Sequence, residues 1–421
     1  MTPTEPSTPL LNALGLYAVA HGERLLLYAP LAGVTAETDA DELQACEYAA
    51  QGGNLPDQLR ELVGAHPRRP GSPDDIDAIS ILINQKCNFT CRYCYSAGGR
   101  SKAELPDELF GPLTEWFVSR RRLEASGAKE LSVTFSGGGD PTLSMPKLRR
   151  LVGMLRTKSA AEGVPLRIGL VCNGSLLAEP DIDFIAANID DMVISFDVLE
   201  DVHNAQRSHY AVVADTIRAL CARGIDIGLR STVTALNVGR LTEMVEELHR
   251  RFPACRRLAA EAVLAPDMWP TAEALGEFYD TFAEEYFKAR ERAKELGLEL
   301  GNTIELSAEG LKARACVGKV VVTPEGRLTA CSRVATEGDT AFNHFVFGEL
   351  TPEGVECDYD RYAEIMADNA YSHPECRSCF ARWHCGGGCA LARRLYTPEA
   401  MGLHCRLTRQ ILKKRLFNEL D

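Results

Sequence analysis

From Ile76 onward, β-type runs alternate with amphipathic helical stretches, and this limits the fold to a parallel sheet with helical crossovers. Six strands are expected, at Ala78–Asn84, Leu131–Phe135, Leu166–Cys172, Met192–Phe196, Ile225–Val233 and Arg257–Val263. Between them, sets such as Leu148, Leu151, Val152, Leu155 and Leu241, Met244, Val245, Leu248 recur at helical spacing. Six units are too few to close a barrel of eight. The pattern therefore predicts an α/β fold, a partial (β/α)6 TIM-like barrel open on one side, with its chemistry at the C-terminal ends of the strands.

The loop after the first strand, Asn84-Gln-Lys-Cys-Asn-Phe-Thr-Cys-Arg-Tyr-Cys-Tyr95, stands at that reactive end and holds Cys87, Cys91 and Cys94. Three thiolates are one too few for a 4Fe-4S cubane, which leaves one iron open to a bound molecule. A structural zinc site closes its shell with four ligands, and here no fourth Cys or His follows at finger spacing; His66 lies far upstream.

Length and composition bound the rest. The 421 residues suggest two or three domains. Fifteen cysteines in a chain with no apolar run of about 18 residues and no apolar stretch near Met1 point to metal binding in the cytoplasm rather than to disulfides or a membrane. A net charge of -13 argues against nucleic acid as a partner.

The Pro-rich stretch His66–Asp74 reads as a linker. It sets off an N-terminal domain, residues 1–72, from a barrel at 76–300 and a Cys-rich domain at 305–421. The first domain carries a hairpin signal, Leu16–Val19 and Leu25–Tyr28 about His21-Gly22. A helix capped by Thr38 and carrying Leu43 and Cys46 follows, then an apolar set at Leu55, Leu59, Leu62 and Val63. A long helix from about Thr271 to Leu296 leaves the barrel, and the Cys-rich part is built around a hairpin at Val320–Leu328. Leu407, Ile411 and Leu412 mark a packed terminal helix.

The C-x3-C-x-aromatic-C spacing, with Tyr93 as the aromatic, resembles the signature of the radical S-adenosylmethionine (SAM) superfamily. The resemblance implies a cluster on Cys87, Cys91 and Cys94 that binds SAM at its open iron and cleaves it to a 5'-deoxyadenosyl radical. Ser136-Gly-Gly-Gly-Asp-Pro141 resembles the family's Gly-Gly-Glu motif, implying that backbone at Gly138, Gly139 and Asp140 receives the SAM amino group. Asn173-Gly174 resembles the Thr-Asn-Gly turn, although a plain turn explains it equally. Ser195 to Arg207 resembles the Ser-x-Asp-Gly to Arg segment of peptide-modifying members. Ser195 is implied to bond the ribose or carboxylate and Arg207 the carboxylate, a surface ion pair being the other reading of Arg207. Val198 replaces the usual Gly, so a different loop path is expected. Glu261 interrupts an apolar strand and either faces SAM or substrate or is solvated at the strand end.

Cys316-x9-Gly326-x4-Cys331, Cys376-x2-Cys379-x5-Cys385-x3-Cys389 and Cys405 resemble the SPASM domain, which carries auxiliary iron-sulfur clusters. The resemblance implies one cluster on Cys376, Cys379, Cys385 and Cys405, and another on Cys316, Cys331 and Cys389 with one iron open, making three 4Fe-4S clusters in all. A pair of zinc ribbons is the alternative. Cys46, Cys172, Cys221, Cys255 and Cys357 fit neither set.

These resemblances imply a maturase that abstracts hydrogen from a ribosomally made precursor peptide with a leader sequence, forms a thioether or C-C crosslink, and draws electrons from a flavodoxin or ferredoxin. The alternatives are oxidation of Ser or Cys to formylglycine in a protein, and a non-catalytic electron-transfer or zinc-binding adaptor. The N-terminal hairpin either captures the leader by strand addition or covers the open barrel.

Overall fold

The structure is a computed structural model that describes residues 8–53, 55–67 and 71–418. The extreme N-terminus read for targeting and residues 68–70 of the linker lie outside the described residues. The chain divides into two compact units. One comprises Met1–Arg69, Thr303–Val317 and Met366–Asp421; the other comprises Pro70–Asn302 and Gly318–Ile365.

The second unit is built on one sheet. The expected strands are present as β4 (Ala78–Ile81), β5 (Leu131–Phe135), β6 (Leu166–Cys172), β7 (Asp191–Ser195), β8 (Ile227–Val233) and β9 (Arg257–Ala262), all paired in parallel in that order. A short β10 (Glu299–Gly301) adds to β9 beyond them. The hairpin of the Cys-rich region, β11 (Val320–Val322) and β12 (Arg327–Thr329), is built into the same sheet, because β11 pairs in parallel with β4. β13 (Val346–Thr351) and β14 (Gly354–Cys357) continue it antiparallel. The sheet ends at β10 and β14 without closing, so the barrel is partial.

Helices cover one face. Leu148, Leu151, Val152 and Leu155, and likewise Leu241, Met244, Val245 and Leu248, are buried, as their spacing predicts. The long helix spans Ala272–Glu295, with Thr271 accepting a bond from the Ala274 N–H as its N-cap. No described helix is long and apolar enough to cross a membrane.

In the first unit the hairpin pairs β1 (Tyr17–His21) with β2 (Arg24–Ala29), and a third strand, β3 (Val34–Glu37), extends it in the order β1-β2-β3. The cap of the following helix is Asp39, whose side chain accepts from the Glu42 N–H; Thr38 instead donates to the Glu42 carboxylate. The apolar set from Leu55 yields only one helical turn, Asp57–Arg60, yet Leu55, Leu59 and Leu62 pack with Leu11, Leu16 and Leu43.

Tyr17, Val19, Leu26 and Tyr28 pack in this unit with Trp383, Leu412 and Phe417. Tyr28 Oη bonds to His384 Nε2, and His384 Nδ1 donates to the Gly310 carbonyl at 3.1 Å. Trp383 is fully buried, with the ring of Tyr371 edge-on at 5.2 Å. Replacing Trp383 by Ala is expected to destabilise this unit by about 3–5 kcal/mol, measured as a lowered denaturation midpoint.

Candidate functional site

The cysteine loop leaves the C-terminal end of β4, and its path is fixed by the glycine loop after β5. Asp140 N–H donates to the Lys86 carbonyl at 2.6 Å and Gly139 N–H to the Asn84 carbonyl at 2.9 Å. A Cβ on Gly139 would lie 1.8 Å from the Lys86 carbonyl oxygen, so only glycine permits this approach. Buried Asn84 locks the same junction, donating to the Asp140 carbonyl at 2.9 Å and accepting from the Lys86 N–H at 3.0 Å. The Asp140 carboxylate is spent internally on the N–H groups of Thr142, at 3.0 Å, and Asn173, at 2.6 Å; burial raises its pKa. The Asn173 side chain donates to Asn88 in the cysteine loop at 2.9 Å.

Cys87, Cys91 and Cys94 are half-buried electrostatic neighbours of one another. Burial pushes the Cys87 and Cys91 thiols up, against the pull of Arg100 on Cys87 and of Arg207 on Cys91. Arg100 Nη2 lies 3.5 Å from Cys94 Sγ. Among the described residues no three His, Cys, Asp or Glu side chains converge as a single metal ion would require, whereas a cubane is a larger body held at its corners.

The loop after β7 clamps the cysteine loop from the other side. Tyr93 donates to Asp197 Oδ2 at 3.0 Å, and Arg207 Nη1 donates to the Tyr93 hydroxyl oxygen at 2.8 Å. Asp197, fully buried, also accepts from Ser231 at 3.2 Å, the Thr232 N–H at 3.0 Å and Gln206 at 3.2 Å. Burial raises the Asp197 pKa, opposed by Arg207. Burial disfavours the Arg207 cation, but Tyr93, Cys91 and Asp197 hold it charged. Among the described residues, every non-glycine residue with positive φ is in this segment: Val198 at 47°, Ser208 at 89° and His209 at 61°. Val198 thus adopts a left-handed backbone conformation that favours glycine. Such strain costs about 1–3 kcal/mol per residue and gathers at functional sites.

The strand faces complete the site. Parallel register places Ser80, Thr134 and Gly169 on one face, with Val171 and Val193, then Ser195, Arg230 and Ala259, then Thr232 and Glu261. Thr134, Val193, Ser195, Thr232, Ala259 and Glu261 are only half-buried, while their chain neighbours are buried, Ala262 excepted. A closed barrel fills this face with bulky branched side chains. Here Thr134, Ser195, Thr232 and Ala259 are small and only half-buried, so this strand face is less filled than that of a closed barrel.

The first unit holds Cys46, Cys316, Cys376, Cys379, Cys385, Cys389 and Cys405. Cys376, Cys379, Cys385 and Cys405 are electrostatic neighbours, and burial pushes Cys376 up to about 11 and Cys385 up to about 12. Cys316 is exposed, and Cys389 accepts a bond from the Ala392 N–H at 3.4 Å as a helix N-cap. Cys331 follows β12 in the other unit. The cysteines outside both sets have other surroundings. Cys221 and Cys255 contact each other at 3.3 Å, Cys357 lies beside Asp74 and Arg122, and Cys46 packs in the core around Leu43.

Sequence reasoning missed Asn84, Asp197 and His203. Asp197 and His203 stand in the quoted Ser195 to Arg207 segment, and His203 Nδ1 accepts from the Asp197 N–H at 3.2 Å. Burial, reinforced by Arg207, lowers the His203 pKa to about 3. The unfolded chain takes up this proton as pH falls through about 6.5, while the folded chain resists until about 3. Stability is therefore lost with acidification across that window, at up to about 1.4 kcal/mol per pH unit. Denaturation midpoints at pH 7.5 and pH 5 measure this, and His203→Asn is expected to flatten the difference. Gly139→Ala is expected to displace the cysteine loop and abolish iron retention, measured as iron per chain after anaerobic reconstitution.

Residues 81–251 match the family model described as the radical SAM superfamily. The serine-type anaerobic sulfatase-maturating enzyme of Klebsiella aerogenes is 21% identical over 337 residues, 76% of this chain and 81% of that enzyme. The solved structure of anSMEcpe with bound AdoMet superposes with a TM-score of 0.65 at 16% identity, covering 81% of this chain and 98% of that one. Streptococcus suis SuiB bound to precursor peptide SuiA gives 0.55 at 14% identity, covering 87% and 81%. At such identities the likeness to the solved structures is one of fold. The cysteine loop, the glycine loop and the half-open strand face fit the 4Fe-4S cluster and SAM that this superfamily binds, and residues 81–251 are a radical SAM domain.

Proposed function

We propose that the protein is a peptide maturase that abstracts hydrogen from a ribosomally made precursor peptide and forms a thioether or C-C crosslink. Cys87, Cys91 and Cys94 hold the cluster, backbone at Gly138 and Gly139 meets the SAM amino group, and Asp140 sets that turn. Tyr93, Asn173, Ser195, Arg207 and Glu261 orient SAM or substrate at the half-open strand face. When bound, the cluster and SAM supply a 5'-deoxyadenosyl radical; the chain's own residues bind, orient and shield the reacting parts. Cys376, Cys379, Cys385 and Cys405 hold a second cluster in a SPASM domain spanning residues 305–421. A flavodoxin or ferredoxin supplies the electron, and the reaction takes place in the cytoplasm.

The observation that carries the reading is the three-stranded N-terminal sheet. β3 is an edge strand, half-buried at Val34 and Thr35 and exposed at Ala36 and Glu37. Such an edge accepts an extended leader peptide as a fourth strand, so we assign leader recognition to residues 1–72. In keeping with this, the match to S. suis SuiB with S-adenosylmethionine extends over 94% of this chain, against 81% for anSMEcpe.

A second reading, oxidation of a Ser or Cys in a protein, is favoured by the 81% coverage of the Klebsiella enzyme. Co-expression with the short reading frames beside the gene, followed by weighing the peptides, separates the two. Crosslinking is expected to remove two hydrogens per site and leave no aldehyde. An aldehyde-reactive product supports the second reading, and unmodified peptides throughout would overturn peptide maturation.

A further inference from the structure

Cys221 and Cys255 belong to neither cysteine set, yet their sulfurs meet at 3.3 Å. Cys221 lies in the last turn of the helix Tyr210–Ala222, and Cys255 lies in the turn that leads into β9. Backbone hydrogen bonds pin both positions. The Gly224 N–H donates to the Cys221 carbonyl at 2.9 Å, and the Cys255 N–H donates to the Phe252 carbonyl at 2.8 Å. The Arg218 guanidinium lies over the buried Phe252 ring at 5.2 Å, so helix and turn are packed together. Cys255 is fully buried, whereas Cys221 is half-buried and reaches solvent. Cys46, Cys172 and Cys357, the other cysteines outside both sets, have no thiol neighbour among the described residues.

A disulfide bond is about 2.05 Å long, so the two sulfurs stand within about 1.3 Å of bonding distance, a gap that small side-chain rotations close. The hydrogen bond between the thiols favours thiolate at Cys221, against burial and the nearby Asp226 carboxylate. The same bond, together with burial, pushes the Cys255 thiol up. The sulfur that solvent reaches is therefore also the more nucleophilic one. We propose that Cys221 and Cys255 are a site of reversible oxidation that closes a disulfide with a peroxide as oxidant. The Cys221 thiolate attacks a peroxide oxygen, the O–O bond breaks, and hydroxide leaves a sulfenic acid behind. The Cys255 sulfur then attacks the sulfenic sulfur, the S–S bond forms, the S–O bond breaks, and the departing hydroxide takes the Cys255 proton as water. Two thiols give up two electrons and two protons, and one hydrogen peroxide becomes two waters. An external dithiol reverses the step and leaves as its own disulfide. Both cysteines precede the strands β8 and β9, at the end of the sheet opposite the cysteine loop, so the bond staples two consecutive β/α units away from the reactive end. The inference rests on neither the peptide substrate nor a bound cofactor.

The test titrates the anaerobically reconstituted full chain with hydrogen peroxide, alkylates the remaining thiols and maps the peptides by mass. The expected result is a linked peptide pair carrying Cys221 and Cys255, lighter by two hydrogens than the free thiols and lost on adding dithiothreitol. In Cys255→Ser the reaction is expected to stop at Cys221, where dimedone captures the sulfenic acid, whereas in Cys221→Ser the buried Cys255 stays a thiol. Half-buried Cys46 serves as the internal reference. Absence of the Cys221–Cys255 linkage at peroxide levels that already oxidise Cys46, or dimedone capture at Cys255 in Cys221→Ser, would overturn the proposal. Mapping of the parent chain needs no substitution, so a variant that fails to fold leaves the decision with the linkage itself.

Discussion

The buried carboxylate of Asp197 is the constraint on which the site depends. It stands just past β7, accepts from β8 through Ser231 and Thr232, and accepts from the cysteine loop through Tyr93. A buried anion needs several donors, and these donors come from three separate stretches of chain. Satisfying it therefore draws the strand ends and the cysteine loop into one arrangement. Arg207 balances the charge and bonds Tyr93, so an aromatic residue of the cysteine motif is also part of an ionic network.

The glycine loop performs the matching task on the opposite flank. Where Asp197 pulls with charge, Gly139 works through the absence of a side chain, which lets two backbones meet at hydrogen-bond distance. Positive φ at Val198, a β-branched residue with no local preference for it, records a cost of the packing beside Asp197.

Much of the fold is legible because long apolar strands and amphipathic helices announce themselves by period. β5 and β6 fall where the sequence places them, and Leu148 to Leu155 are buried as their spacing requires. Shorter elements escape. β3 and β10 have four and three residues, too few for any periodicity, and they exist because a neighbouring strand offers a partner. The cap at Asp39 rather than Thr38 likewise turns on which backbone enters the helix.

The sequence by itself determined which residues are candidates for the chemistry: the three closely spaced cysteines, the glycines after the second barrel strand, and the acid that breaks the last. Spacing along the chain carries that information directly. Only the tertiary structure decided which faces of the strands remain open and which polar groups are already engaged. Arg207 and Arg230 are both basic residues at the barrel, yet one is buried and bonded to Tyr93 and the other is exposed on its strand face. Register between strands settles that difference, because parallel pairing sets which side chains share a face, and a single strand's sequence does not contain its partner.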